Sequence, residues 1–371
     1  MVHKKKRVGV VFGGRSGEHE VSLASAQAVI GNLDPEKYEV VPIGITKTGQ
    51  WMLGADPAKL LAAGQEQGEE LETFRTVTYT GDPTVGHLIP LEGGEPLGEQ
   101  GRLEIIFPVL HGTYGEDGTL QGLLEMANVP YVGSGVLGAA LGMDKEKMKM
   151  VFESAHLPNV KYLVYRRHQW ENDPEKILNA IEEQLGYPNF VKPVNLGSSV
   201  GINKAYDRTE LVHAINVAAE YDRKIIIEQS INCQEFECAV LGNDEPIVSV
   251  VGEVVANNEF YDYNAKYLDG QSQIIIPAHL PQETVEAIRH YATAAFLAID
   301  LSGLARIDFF MDKDTGKIYI NEVNTLPGFT QVSMYAKLWA ASGLAYPELL
   351  DRLIELAQER YDDRQRNRTS L

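Results

Sequence analysis

The segment ARIDFFMDKDTGKIYINEVNTLPG, residues 305–328, places Arg306, Asp308, Glu322 and Asn324 in two apolar runs otherwise fit for a core. IDFFM and IYINEV are β-branched and aromatic, which is strand composition. Asp312, Lys313, Asp314, Thr315 and Gly316 supply turn chemistry between them, so the two runs read as a hairpin. With the turn centred near Asp314, Arg306 is expected opposite Glu322, and Asp308 opposite Ile320. Alternation of side chains then puts all four polar residues on one face. A solvated face with a cross-strand ion pair accounts for such a hairpin taken alone. Three oxygen ligands beside a guanidinium also suit a hard cation next to a phosphate.

Three further segments add to this inventory. In FVKPVNLGSSVGINKAY (190–206), Gly197, Ser198, Ser199 and Gly201 have small side chains, so their amides can approach an anion closely. Lys192 ends the preceding apolar strand, where its stem packs and its ammonium can reach that anion. MDKEKMKM (143–150) sets Lys145 and Lys149 four apart on one helical face, by default a solvated one. IIIEQSINCQEFE (225–237) leaves Glu228 at the end of one strand and Glu235 at the start of the next. The connection between them could hold a purine edge or serve as an interdomain linker. Separately each feature is ordinary. Together they suit ATP–Mg²⁺ without a P-loop.

The elements that must carry these residues follow from hydrophobic periodicity. VGVVFGG (8–14) and YEVVPIGIT (38–46) read as strands joined by the helix EVSLASAQAVIGNL (20–33), a βαβ opening that implies a parallel sheet. Residues 54–102 are rich in Gly, Glu and Pro and read as a surface excursion. LEIIFPVLHG (103–112), TLQGLLEMAN (119–128) and VPYVG (129–133) then read as strand, helix and strand. After the helical DKEKMKMVFESAH (144–156), four strand-like runs alternate with EKILNAIEEQL and ELVHAINVAAEY, which implies a compact α+β unit. A third unit begins near residue 233 and contains the hairpin. The expected domains are 1–135, 136–232 and 233–371, since 371 residues exceed what one core usually organises.

Composition narrows the function classes. Hydrophobic content of 44% and charged content of 23% are those of a globular protein, and a net charge of −19 leaves no basic stripe for nucleic acid. No run approaches the ~20 apolar residues of a membrane span, and MVHKKKRVGVVFGG reads as a first strand, not a signal peptide. A cytoplasmic location is expected, with Cys233 and Cys238 as inert thiols.

Several motifs are decoys. GSGVLG (133–138) matches a dinucleotide fingerprint but closes a βαβ unit where such a motif should open one. GSSVG (197–201) lacks the helix that must follow a nucleophile elbow. HEVSL (19–23) lacks the second histidine of a zinc protease.

GGRSGEHEVS, LHGTYGEDGTLQG, YVGSGVLGAALGMDK, VKPVNLGSSVG, EFYDYNAKY, ARIDFF and NEVNTLPGFTQVSMYAKLW occur in that order. With them the chain resembles the ATP-grasp ligases and, within these, the D-alanine–D-alanine ligases, over nearly its whole length apart from 54–102 and the tail. The resemblance implies a three-domain ATP-grasp fold, α/β and α+β, with an N-terminal parallel-sheet domain. It implies ligation of two D-alanines through an acyl phosphate, with ATP converted to ADP and phosphate, for peptidoglycan synthesis. By position, Asp308, Glu322 and Asn324 match ligands of two Mg²⁺ (or Mn²⁺) ions, and Arg306 with the Gly328 amide matches the oxyanion site. Lys145 and Lys192 match the phosphate lysines, with Gly197, Ser198 and Ser199 in the lid loop over ATP. Glu228, Gln229 and Ile231 match the adenine linker, and Glu235 the ribose ligand; Gln229 stands where some members carry lysine. Glu18 matches the carboxylate on the first D-alanine's ammonium, for which helix capping is the plain alternative, and His111 matches a contact to its carboxylate. Lys266, Ser333 and Met334 match the second pocket, and Tyr267 a lid tyrosine bonded to Glu18 and Ser198. A homodimer is implied, and a monovalent cation is left open. The alternatives are a D-alanine–D-lactate ligase, disfavoured by Tyr267, and a nucleotide-binding regulator without turnover.

Overall fold

A computed structural model of the chain describes residues 4–59, 74–91, 97–197, 200–255 and 273–368. The β-branched run at the start forms β1 (Lys6–Gly13), and the helix His19–Asn32 returns the chain to β2 (Tyr38–Ile45). β1 pairs in parallel with β2 and, on its other side, with β6 (Ile105–Val109). Between β2 and β6 lie β3 (Trp51–Leu53), β4 (Arg75–Tyr79) and β5 (Leu88–Pro90), which extend the sheet antiparallel in the order β5-β4-β3-β2-β1-β6. The expectation of a surface excursion over 54–102 is therefore corrected, since part of it is sheet edge with Val77, Tyr79 and Leu88 in the core. The first sheet is mixed, with its parallel pairs confined to β1, β2 and β6. VPYVG contributes one parallel bridge, Ile106 to Tyr131, where a full strand was expected.

The second sheet contains β7 (Tyr162–Arg166), β8 (Asn189–Pro193), β9 (Asn203–Ala205) and β10 (Lys224–Gln229) in the order β7-β10-β8-β9, every pair antiparallel. The helices Pro174–Gln184 and Arg208–Tyr221 pack on Val191, Ile225 and Ile227. Alternation sends Lys192 and Glu228 to the opposite face.

The third sheet contains β11 (Cys233–Gly242), β12 (Ile247–Val248), β13 (Gly252–Val255), β14 (Gln273–Ile275), β15 (Gly303–Asp312) and β16 (Ile318–Asn324). One face of β11, β15 and β16 buries Phe236, Cys238, Ile307, Phe309 and Val323 against the helices Lys145–Ser154 and Gln282–Ala298. On the other face Ala239, Leu241 and Leu304 share a core with β1, β6 and the helices Met334–Ala341 and Tyr346–Arg364. Further along that face the side chains turn polar. This is where the hairpin's charges lie.

The glycines of GSGVLG serve close packing. A Cβ on Gly138, in the helix Val136–Met143, would fall 2.4 Å from the Asp300 carbonyl oxygen. No helix among the described residues is long and apolar enough to cross a membrane.

Candidate active site

β15 and β16 place Arg306 opposite Asn324 and Asp308 opposite Glu322, with Phe309 opposite Ile320. The expected pairing of Arg306 with Glu322 is thus displaced by two residues. The turn is one residue longer than expected, with Asp312 bonded to the Lys317 carbonyl. A bulge between Asp308 and Phe309 adds the second residue, Asn321. A two-residue shift preserves alternation, so the four side chains do share one face.

On that face Arg306 is held as a fork. Its Nε and Nη2 donate to Asp308 Oδ1 and Oδ2, both at 2.7 Å, and its Nε lies 2.9 Å from Glu237 Oε2. Asn324 donates to Asp308 Oδ2 at 3.0 Å. Glu237, directly across β11 from Asp308, was not singled out in the sequence; its alternation with Glu235 in EFE was the available signal. The donor chemistry fits a hard divalent cation, because Asp308 and Glu322 are cross-strand neighbours and the Asn324 amide stands beside Asp308. Among the described residues no three His, Cys, Asp or Glu side chains converge, so an ion here would draw also on the Asn324 carbonyl and on ligand oxygens.

Three buried lysines lie nearby, Lys145 against Glu322 and Lys192 and Lys149 against Glu228. Lys145, first in its helix, donates to the Leu196 carbonyl at 2.8 Å and lies 3.7 Å from Glu322 Oε2. Asp144 caps the same helix through the Lys147 amide and pairs with Lys224. Lys192 lies 2.6 Å from Glu228 Oε2, and Lys149 lies 2.9 Å from Oε1 of the same carboxylate. Burial alone would raise the Glu228 pKa, but Lys149 and then Lys192 outweigh it and hold the group down at about 2. Lys192 is raised despite burial, by Glu228 first and then Glu322 and Glu235. The sequence displayed Lys149 on the Lys145 face, yet its partner belongs to a strand far along the chain. Gln229 and Ile231 are half-buried just beyond, with the Gln229 amide bonded to the Lys161 carbonyl.

Glu18 stands at the start of the first helix but makes no side-chain capping bond. Its carboxylate points instead between two glycines. A Cβ on Gly112 would fall 2.7 Å from Glu18 Oε2, and one on Gly197 would fall 3.3 Å from it. The loop carrying Glu18 leaves β1 through Gly13 at φ +90°, where a Cβ would meet the Ile45 carbonyl oxygen at 2.2 Å. First-sheet and second-sheet loops thus meet at one carboxylate.

His111 is buried with both ring nitrogens engaged: Nδ1 with the Leu326 carbonyl at 2.7 Å and Nε2 with Ser25 Oγ at 3.1 Å. Ser25 in turn accepts from the Phe329 amide at 3.1 Å. One assignment satisfies all three bonds: Nδ1–H donates to Leu326, and the Ser25 hydroxyl donates to Nε2. Burial lowers the His111 pKa against the opposing Glu18 charge and Leu326 carbonyl, which keeps the ring neutral as that assignment requires. A carboxylate contact from His111 must therefore replace its bond to Ser25. Glu116, also absent from the sequence reading, accepts from the Gly112 amide at 2.7 Å and the Leu326 amide at 3.0 Å. Burial first, then Glu18, raises its pKa. These bonds bracket Gly328, whose Cβ position is 3.4 Å from Ser333 Oγ. Ser333 accepts from the Thr330 amide at 3.0 Å, and Met334 buries its side chain near Gly252, so at Met334 the helix start offers its backbone. Ser198, Ser199, Lys266 and Tyr267 lie outside the described residues.

Lys145 links the third-sheet face at Glu322 to the Leu196 carbonyl, and Gly197 next to it meets Glu18, so polar residues from all three sheets adjoin. Known proteins share this plan. Family models described as "D-ala D-ala ligase N-terminus" and "D-ala D-ala ligase C-terminus" match residues 7–134 and 151–355. A D-alanine--D-alanine ligase of Ruminiclostridium cellulolyticum is 54% identical over 99% of both chains. One of Geobacillus thermodenitrificans is 51% identical over 97% of this chain and 98% of its own. Among solved structures, the VanG D-Ala:D-Ser ligase of Enterococcus faecalis superposes with a TM-score of 0.84 at 38% identity, covering 95% of this chain and 100% of its own. The D-alanine-D-alanine ligase of Coxiella burnetii gives 0.81 at 35%, covering 98% of this chain and 96% of its own. With both of its halves matched and the relatives aligned nearly end to end, the chain belongs to the D-ala D-ala ligase family.

Proposed function

We propose that the chain joins two D-alanines into D-alanyl-D-alanine, converting ATP to ADP and phosphate, for peptidoglycan precursor synthesis. The observation that carries this reading is the meeting of buried lysines with a carboxylate–amide face beside Glu18. A carboxylate oxygen of the first D-alanine attacks the γ-phosphorus, and the bond to ADP breaks. The second D-alanine, having lost its ammonium proton, attacks the acyl carbon, and phosphate leaves with its bonding pair.

The residues divide this work. Glu18 takes the first ammonium, and His111 and Glu116 hold the 325–329 loop on which Gly328 offers its amide. Lys145 and Lys192 take phosphate oxygens under the 197–201 loop, with Gln229 and Ile231, after Glu228, on the adenine edge and Glu235 on the ribose. Arg306 stabilises charge on the acyl carbon's oxygens. Asp308, Glu322 and Asn324 hold two Mg²⁺ (or Mn²⁺) ions, which supply charge neutralisation at the transferring phosphoryl. Ser333 and the Met334 backbone, with Lys266 and Tyr267, receive the second substrate. Units 1–135, 136–232 and 233–371 carry first-substrate, nucleotide and metal functions respectively, in a cytoplasmic homodimer.

One neighbour is titled a D-Ala:D-Ser ligase, so acceptor choice belongs in the test. Offered D-alanine, D-serine and D-lactate in a mixture with ATP and Mg²⁺, the protein is expected to form D-alanyl-D-alanine as the main product. Predominance of a serine or lactate product would overturn the acceptor assignment. Phosphate release indifferent to D-alanine would favour a nucleotide-binding regulator.

A further inference from the structure

Lys149 has no exposed surface, and no step of the proposed reaction uses it. Its helix stands on the core of the third sheet through Met148 and Phe152, while Lys149 reaches into the second sheet. Its Nζ lies 2.9 Å from Glu228 Oε1 and 5.8 Å from the centre of the Tyr162 ring, and it donates to the carbonyl of the bulge residue Asn321 at 3.5 Å. The other oxygen of Glu228 holds Lys192 at 2.6 Å.

Each oxygen of this carboxylate therefore meets one ammonium. Two ammonium groups and one carboxylate leave one net positive charge in a buried cluster. Were Glu228 to face Lys192 alone, the pair would be neutral, and an incoming anion would have to compete with an undivided carboxylate. We infer that Lys149 is a positioning residue that occupies half of the Glu228 carboxylate and thereby leaves Lys192 its charge for the polyphosphate of a nucleotide. The inference rests on the nucleotide reading of this face. A purely structural Lys149 would stabilise the junction of the two sheets and leave nucleotide affinity untouched.

Binding of ADP with Mg²⁺, measured by titration calorimetry on the whole protein, separates the two. Lys149→Met should weaken ADP about tenfold or more, because one charge is lost close to the phosphate-facing lysine in a poorly screened site. In a Glu228→Gln background, which absorbs any contact Glu228 itself makes to the nucleotide, adding Lys149→Met should change ADP affinity by less than about threefold. Wild-type affinity in Lys149→Met, or a loss in the Glu228→Gln background as large as in the wild-type background, would overturn the inference. If circular dichroism shows that Lys149→Met does not fold, the double variant compared with Glu228→Gln alone decides: equal affinity within about threefold supports the inference, and a further tenfold loss refutes it. Failure of the wild-type protein to bind ADP would instead remove the nucleotide reading itself, and this inference with it.

Discussion

Glu322→Gln is expected to lower turnover on the order of a thousandfold, about 4 kcal/mol of transition-state stabilisation. Glu322 lies opposite Asp308 and 3.7 Å from Lys145, so it links the face proposed to hold metal to a lysine proposed to hold phosphate. Glutamine keeps the shape and one oxygen donor but removes the charge that the two proposed cations would require. The loss should fall on kcat and persist at saturating Mg²⁺, because the missing interaction acts on charge that develops as the phosphoryl group transfers. Steady-state kinetics with a magnesium titration checks this. Turnover near wild type at high magnesium would remove Glu322 from the metal site.

Arg306→Met should cost on the order of a hundredfold to a thousandfold in kcat, the usual effect of removing a donor aimed at a developing oxyanion. Arg306→Lys should recover little of it, since an ammonium cannot reproduce the two parallel 2.7 Å bonds that fix the guanidinium on Asp308. Both variants leave Asp308 and Glu237 short of a partner, so the melting temperature should fall as well. ADP affinity should change far less than kcat. A parallel collapse of ADP binding and turnover would mean that Arg306 merely holds the face together.

Much of this site was legible because alternation along strands is local. Lys192 and Glu228 share the face of the second sheet turned away from the helices Pro174–Gln184 and Arg208–Tyr221, Arg306 and Asp308 share one face of the third, and both follow from counting by twos. The partners across the hairpin were not legible. A longer turn and the bulge at Asn321 each moved them by one residue, and only their coincidence kept the face intact. β3, β4 and β5 escaped notice because strands of three to five residues in a polar stretch gain their order by pairing in series, β3 on β2, β4 on β3 and β5 on β4, which no local pattern records. Non-local partners also hid what Lys149, Glu116 and Ser25 do, since their roles depend on strands and loops far along the chain. The assignments of Glu18 and His111 came from motif position alone. Geometry added that Glu18 does not cap its helix and that His111 works through both nitrogens.

On the proposed reading, this face joins a D-alanine carboxylate to the γ-phosphoryl group before any peptide bond forms. Oxygen-18 in the carboxylate of D-alanine tests it most directly. The oxygen that attacks phosphorus stays with phosphorus when the amine expels phosphate, so mass spectrometry should find one labelled oxygen in the inorganic phosphate for each D-alanyl-D-alanine made. Unlabelled phosphate accompanying labelled dipeptide would contradict this order of steps, because the carboxylate would then never have been phosphorylated.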